Sequence, residues 1–202
     1  CPVCKNPLSL SKGLFSCPNA RPGEEHILNK ELQPAPPTSP ASGLATRLQN
    51  RWQQEGLGPF TIFRELLGSH ALAREELFLT TLTRLEQELT CFEKKPFQVT
   101  PLLQAQELSR ALGMEGNLFI KNETINITGS HKGRHLMGTL LYLEALRALS
   151  GNPKKTLAVY SCGNAALAAA AVARAGGYSL RAFVPEDIDP VVEAMLRERK
   201  AV

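Results

Sequence analysis

The sequence predicts an α/β protein, an open parallel sheet with helices on both faces, preceded by a small cysteine-bearing segment and a helical region. Three observations carry this. From residue 96 onward, short apolar runs alternate with helical patterns at the spacing of right-handed crossovers. Between 44 and 95, Leu, Phe and Trp recur at three- and four-residue intervals. Ahead of both, Cys1, Cys4 and Cys17 fall within the first 17 residues, and residues 33–43 are rich in proline.

The chain has 202 residues, 43% hydrophobic and 21% charged, enough for a substantial core. Its formal net charge is +4, but Lys and Arg are interspersed with acids and form no basic run. Charge therefore gives no support to nucleic-acid binding. No apolar run is long enough for a membrane helix, and no basic-then-apolar leader opens the chain, so no membrane partner and a cytoplasmic location are expected. Asn122-Glu-Thr124 and Asn126-Ile-Thr128 match a glycosylation acceptor and are read as chance matches for the same reason.

Cys1-Pro-Val-Cys4 is a C-x2-C pair; Cys17 and His26 follow. Two thiolates on a tight turn with a distant Cys and His would complete a tetrahedral Cys3His zinc site, which would fold a segment too small for its own core. The alternatives are a redox pair, or small buried thiols with a surface histidine. Residues 1–32 are read as this knuckle-like unit and 33–43, with Pro34, Pro36, Pro37 and Pro40, as a linker. Helices are expected over 44–55, 60–67 and 75–90, separated at Gly56-Leu-Gly-Pro59 and Gly68-Ser69. Trp52, His70 and Cys91 in this region are read as packing or surface residues.

From Thr100 the expected order is a helix from Thr100-Pro101 to Leu112, strand 117–121, helix 135–149, strand 156–160, helix 164–175, strand 180–184 and a helix from Asp189-Pro190 to Lys200. Asp189 with Pro190 is a strong helix start. Two turns stand out. Asn126-Ile-Thr-Gly-Ser130-His131-Lys132-Gly-Arg134 lies between a strand and a helix, where main-chain N–H groups and the helix dipole gather anions. Ser161-Cys162-Gly163-Asn164 lies at the carboxyl end of the next strand, where open α/β sheets bind ligands. With all strands in one sheet, both turns are expected to face one crevice.

Taken together, Thr100-Pro101-Leu102, Lys121-x-Glu123, Asn126-x-Thr128-Gly129-Ser130-His131-Lys132-x-Arg134 and Ser161-x-Gly163-Asn164 resemble the pyridoxal-phosphate enzymes of the tryptophan synthase β family, fold type II. The resemblance covers roughly residues 97–202. Pro59-Phe-Thr-Ile-Phe-Arg64-Glu-Leu-Leu67 and the cysteine-bearing start look most like threonine synthase and its relatives. The resemblance implies Lys132 as Schiff-base lysine and later general base, and Asn164 on the 3-oxygen of the cofactor ring. It places Ser130 and His131 beside the cofactor, and Ser161, Cys162 and Gly163 at the substrate α-carboxylate. His131 stands where threonine synthases usually carry an aromatic and is similar to the histidine of tryptophan synthase β, which contacts the cofactor phosphate. Arg134 is read either as an anion-steering group or as a structural ion-pair partner.

The implied activity is elimination or replacement at the β or γ carbon of an amino acid, in a homodimer when full-length. Dehydration and deamination of threonine or serine is the alternative, and an inactive zinc-binding interaction module the non-catalytic one. The family's glycine-rich phosphate loop lies downstream of the second turn, and no such loop occurs here, so a fragment of a longer enzyme is expected.

Overall fold

The computed structural model describes residues 1–10, 16–29 and 42–201. The proline-rich linker expected at 33–43 falls almost wholly outside the described residues.

The helical region forms as its periodicity predicts except over 60–67, where a four-residue helix and a 3-10 turn at Arg64–Leu66 replace the expected helix, and at Gly68-Ser69, which opens a helix instead of separating two. Helix α1 spans Ser42–Trp52, α2 spans Pro59–Ile62, and α3 spans Gly68–Glu93. Arg74 interrupts α3 with φ 61° and ψ 168°, so its long regular part begins at Glu75, where the apolar pattern starts. That part presents Phe78, Leu82, Leu85 and Leu89, at steps of four and three residues, and all four are essentially inaccessible. They pack against Met137, Leu140, Leu141 and Ala145 of α5 (Lys132–Ser150) and Ala171, Val172 and Ala175 of α6 (Asn164–Gly176). Burying each leucine contributes about 1.5–3 kcal/mol. Helix α6 is buried on nearly all sides, which explains its alanines: large side chains would hold α5 away. A Cβ at Gly176 would lie 3.0 Å from Leu140 Cδ2.

One carboxylate ties these helices together. Glu144 of α5 is 3% exposed and accepts from Arg84 of α3 at 2.9 Å, from Arg147 at 3.1 Å and from the Tyr178 hydroxyl at 2.6 Å. Burial alone would raise its pKa, but the hydrogen bonds from Arg147 and Tyr178 prevail and lower it. The Tyr178 hydroxyl is pushed up to about 12 by burial and by the same carboxylate.

The single open sheet is not formed. Strand β1 (Leu102–Gln104) pairs antiparallel with β2 (Phe119–Lys121), and β3 (Leu157–Tyr160) pairs parallel with β4 (Leu180–Phe183), as two separate ribbons. The expected helix from Thr100 to Leu112 is instead β1 followed by the short α4 (Gln106–Ala111). Pro101 disfavours helical geometry at Thr100, and Lys121 Nζ donates to the Thr100 carbonyl, holding that segment against β2. Cover on both faces is also not found among the described residues. Leu157, Val159, Leu180 and Ala182 face α6 and α7 (Pro190–Glu198), while Tyr160 and Phe183 on the other face are 85% and 55% exposed. Asp189 caps α7 as expected, its Oδ1 accepting from Val191 N at 2.7 Å. Ala201 forms a parallel bridge to Leu180.

Candidate active site

The lysine-bearing turn is built around a carboxylate. Glu123, two residues beyond β2, accepts from Arg134 Nε at 2.8 Å and Nη2 at 3.2 Å, from Asn126 Nδ2 at 3.0 Å and from the Thr100 hydroxyl. Arg134 Nη2 also donates to the Gln98 carbonyl at 2.7 Å. Burial would raise the Glu123 pKa, but hydrogen bonds from Arg134 and Thr100 win and lower it to about 2. Arg134 is therefore committed to an ion pair, the structural one of its two readings. This cluster was not legible as such, because its members are brought together across a turn and two strands and follow no periodic spacing.

Between Asn126 and Lys132 the chain makes a tight turn, with Thr128 and Gly129 at φ 58° and 68°. Ser130 is buried, and its Oγ accepts from Lys132 N at 3.3 Å. His131 is exposed, immediately ahead of α5. Lys132 is the first residue of α5 and half-buried. Of the three basic side chains here, Lys121 and Arg134 are both engaged, whereas Lys132 Nζ makes no hydrogen bond or ion pair among the described residues. Two buried oxygens of the same turn, Asn126 Oδ1 and Thr128 Oγ1, also have no hydrogen-bond partner among the described residues.

The second turn joins β3 to α6. Ser161 N donates to the Phe183 carbonyl at 3.2 Å, which fixes the turn at the end of the ribbon. Ser161 Oγ accepts from Gly163 N at 3.4 Å, and Cys162 and Asn164 are exposed. No side chain caps α6 at Gly163, and among the described residues no side chain is found on the amides of its first turn. The two turns do not follow strands of one sheet. They are related instead by packing of the Ile127–Gly129 turn and of α5 against α6.

An aldehyde cofactor needs an uncommitted primary amine, and an amino-acid carboxylate beside it needs main-chain N–H groups free to meet its oxygens. Lys132 and the uncapped start of α6 fit those requirements.

At the amino-terminal end, one ligand atom from each of Cys1, Cys4, Cys17 and His26 lies within 4.8 Å of the other three. Cys4 Sγ and Cys17 Sγ are 3.6 Å apart. The Cys4 thiol is lowered to about 7, chiefly by the Asn6 amide, against the opposing effect of burial. Trp52 stacks at a tilt on Phe63, His70 meets Glu75 and the edge of Phe78, and Cys91 is exposed, all as packing or surface residues. No helix among the described residues is long and apolar enough to cross a membrane.

Two tryptophan synthase beta chains of Clostridium botulinum, from strains Alaska E43 / Type E3 and Eklund 17B / Type B, are each 30% identical over 112 residues, 55% of this chain and 25% of theirs. The chain thus matches about a quarter of the length of these curated relatives. Among solved structures, a pyridoxal 5'-phosphate-dependent aspartate racemase superposes with a TM-score of 0.46 at 20% identity, over 60% of this chain and 36% of that one. Serine racemase from Dictyostelium discoideum gives 0.45 at 22% identity, over 60% and 37%. The model of one family, described as pyridoxal-phosphate dependent enzyme, matches residues 94–201, more than half of the chain and the whole stretch that bears both turns. The chain belongs to the pyridoxal-phosphate dependent enzyme family.

Proposed function

We propose that this chain forms part of an enzyme catalysing elimination or replacement at the β or γ carbon of an amino acid, similar to threonine synthase, with Lys132 as the lysine that holds the cofactor. The observation that carries the reading is the state of Lys132: it opens α5, and among the described residues nothing bonds its amine, whereas Lys121 of β2 and Arg134 are both engaged. Pyridoxal phosphate, when bound, supplies an electron sink for negative charge at the substrate α-carbon.

The chain's own residues take the remaining tasks. Lys132 Nζ moves a proton at the substrate α-carbon, a role that suits an amine positioned at the start of a rigid helix. Ser161, Cys162 and Gly163, with the uncapped amides of α6, receive the substrate carboxylate. Asn164 holds the ring oxygen, and Ser130 and His131 lie on the phosphate side. The Glu123–Arg134 pair keeps the turn in register, so Arg134 acts through the position of Lys132.

Borohydride reduction of the holoenzyme followed by peptide mapping tests this. The expected result is cofactor covalently retained on the peptide containing Lys132, and a fall in turnover of about 10²–10⁴-fold in Lys132→Ala. Cofactor retained on another lysine, with turnover unchanged in Lys132→Ala, would overturn it. Product analysis then separates the reactions: threonine and phosphate from O-phosphohomoserine for the synthase, a 2-oxo acid and ammonia for the lyase.

A further inference from the structure

Lys132 and the α6 turn leave the amino-terminal segment without a task, and its described residues form no hydrophobic core of their own. Among its described residues Cys17, 4% exposed, is the only buried apolar side chain. Something other than hydrophobic burial must hold the described residues of this segment, 1–10 and 16–29, in shape. We propose that Cys1, Cys4, Cys17 and His26 bind one zinc ion, and that this ion holds the segment as a clasp against α3 and α5.

The donor set and its geometry carry the proposal. Three cysteines and a histidine with no disulfide among them present their ligand atoms within 4.8 Å of one another. A tetrahedral zinc with bonds of about 2.0–2.3 Å needs ligand atoms roughly 3.4–3.8 Å apart. Cys4 Sγ and Cys17 Sγ are already at 3.6 Å, and the rest need close by only about 1 Å. Soft thiolates with an imidazole favour zinc over magnesium or calcium, which take oxygen ligands.

Groups outside the tetrad are arranged as a metal centre requires. Lys5 adopts φ 57°, and the Cys1 amino group donates to the Asn6 carbonyl at 3.0 Å, closing the C-x2-C turn on itself. Asn19 Nδ2 lies 3.7 Å from Cys4 Sγ, in a turn closed by Ala20 N donating to the Cys17 carbonyl at 3.1 Å. Sulfur that accepts N–H donors is suited to the thiolate form. His26 Nδ1 is buried and has no hydrogen-bond partner among the described residues, while its Nε2 lies 3.4 Å from Glu24 Oε2. Glu24 is itself held, its Oε2 accepting from Arg21 N at 3.1 Å. A ligating histidine commonly gives one nitrogen to the metal and its other N–H to a carboxylate. Nδ1 is therefore the ligand, and Glu24 is a positioning residue.

The clasp reaches the body of the protein at Leu10. Its carbonyl accepts from the Tyr142 hydroxyl of α5, and its methyl carbons lie 3.5 Å from where a Cβ would stand on Gly68, the first residue of α3. Metal at the tetrad thus bears on how the segment sits on the helix that begins with Lys132.

Metal analysis and cobalt substitution of the full chain, purified under reducing conditions, test the proposal independently of the Lys132 reading. About one equivalent of zinc is expected, with tetrahedral d–d bands and thiolate charge-transfer absorption in the cobalt form. Glu24→Gln, which leaves all four ligands in place, should weaken zinc binding by about 10–100-fold. Cys17→Ser should do so at least as strongly, and Cys91→Ser not at all. Chelation should raise hydrogen exchange in residues 1–29 while the α3–α5 core keeps its protection. Zinc well below one equivalent, a six-coordinate cobalt spectrum, or undiminished affinity in Cys17→Ser would overturn the proposal. So would a Cys4–Cys17 disulfide in protein prepared without air.

Discussion

Arg134 and Glu123 meet through two parallel hydrogen bonds, Nε to Oε2 at 2.8 Å and Nη2 to Oε1 at 3.2 Å, across the turn that precedes Lys132. Both side chains are largely shielded, with 26% and 15% exposure, so the pair is screened less than a surface ion pair. It joins the end of β2 to the first turn of α5, the two elements between which the Lys132 turn is suspended.

This pair has a pH signature. The Glu123 carboxyl is held down at about 2 in the folded chain, against 4.5 ordinarily. Its contribution is therefore fully present above about 4.5 and is lost as pH falls towards about 2. Glu123→Gln should cost roughly 2 kcal/mol at neutral pH and flatten the acid limb of stability across that window, as read by urea unfolding at a series of pH values. A variant with unaltered acid sensitivity would refute the assignment.

Gly133→Ala sets helix propensity against a contact. In an open helix the change stabilises by about 1 kcal/mol. Here the new Cβ would stand 3.1 Å from the Ile127 carbonyl oxygen and 3.5 Å from Phe97 Cε1. Backbone oxygen cannot swing away as a side chain can, so the contact wins and a net loss of about 1–3 kcal/mol is expected in thermal unfolding. Cofactor retention should fall with it, because the displaced carbonyl belongs to the turn before Lys132. An increase in melting temperature would count against this packing.

Glu86 behaves in the opposite sense to Glu123. Its Oε1 is buried without a hydrogen-bond partner among the described residues, and burial raises the carboxyl to about 7. The folded chain then binds more protons than the unfolded one between about 4.5 and 7, so this group's contribution to stability declines as pH rises through that interval. Glu86→Gln removes the buried charge and should stabilise the protein by about 1–2 kcal/mol at pH 8, with no gain near pH 4.5. Equal effects at both pH values would show that the carboxyl is solvated.

The sequence by itself determined the local facts: the apolar face of α3, the Asp189-Pro190 start of α7, the strand-turn-helix units, and the residues around Lys132 and Ser161–Asn164 that resemble a pyridoxal-phosphate enzyme. These follow from periodicity, capping and short motifs, whose physics acts within a few residues. Only the tertiary structure decided how distant pieces pair. Hydrogen-bond edges do not specify their partner in sequence, so β2 pairs with the neighbouring β1, where Thr100-Pro101 predicts a helix start, and two ribbons form in place of the expected sheet. Arg134 had two readings until folding placed Glu123, eleven residues earlier, beside it. Cys1, Cys4, Cys17 and His26 were candidates by spacing alone. It took the turns at Lys5 and Asn19 to bring their ligand atoms together, because chain direction, which spacing does not encode, fixes where each side chain points.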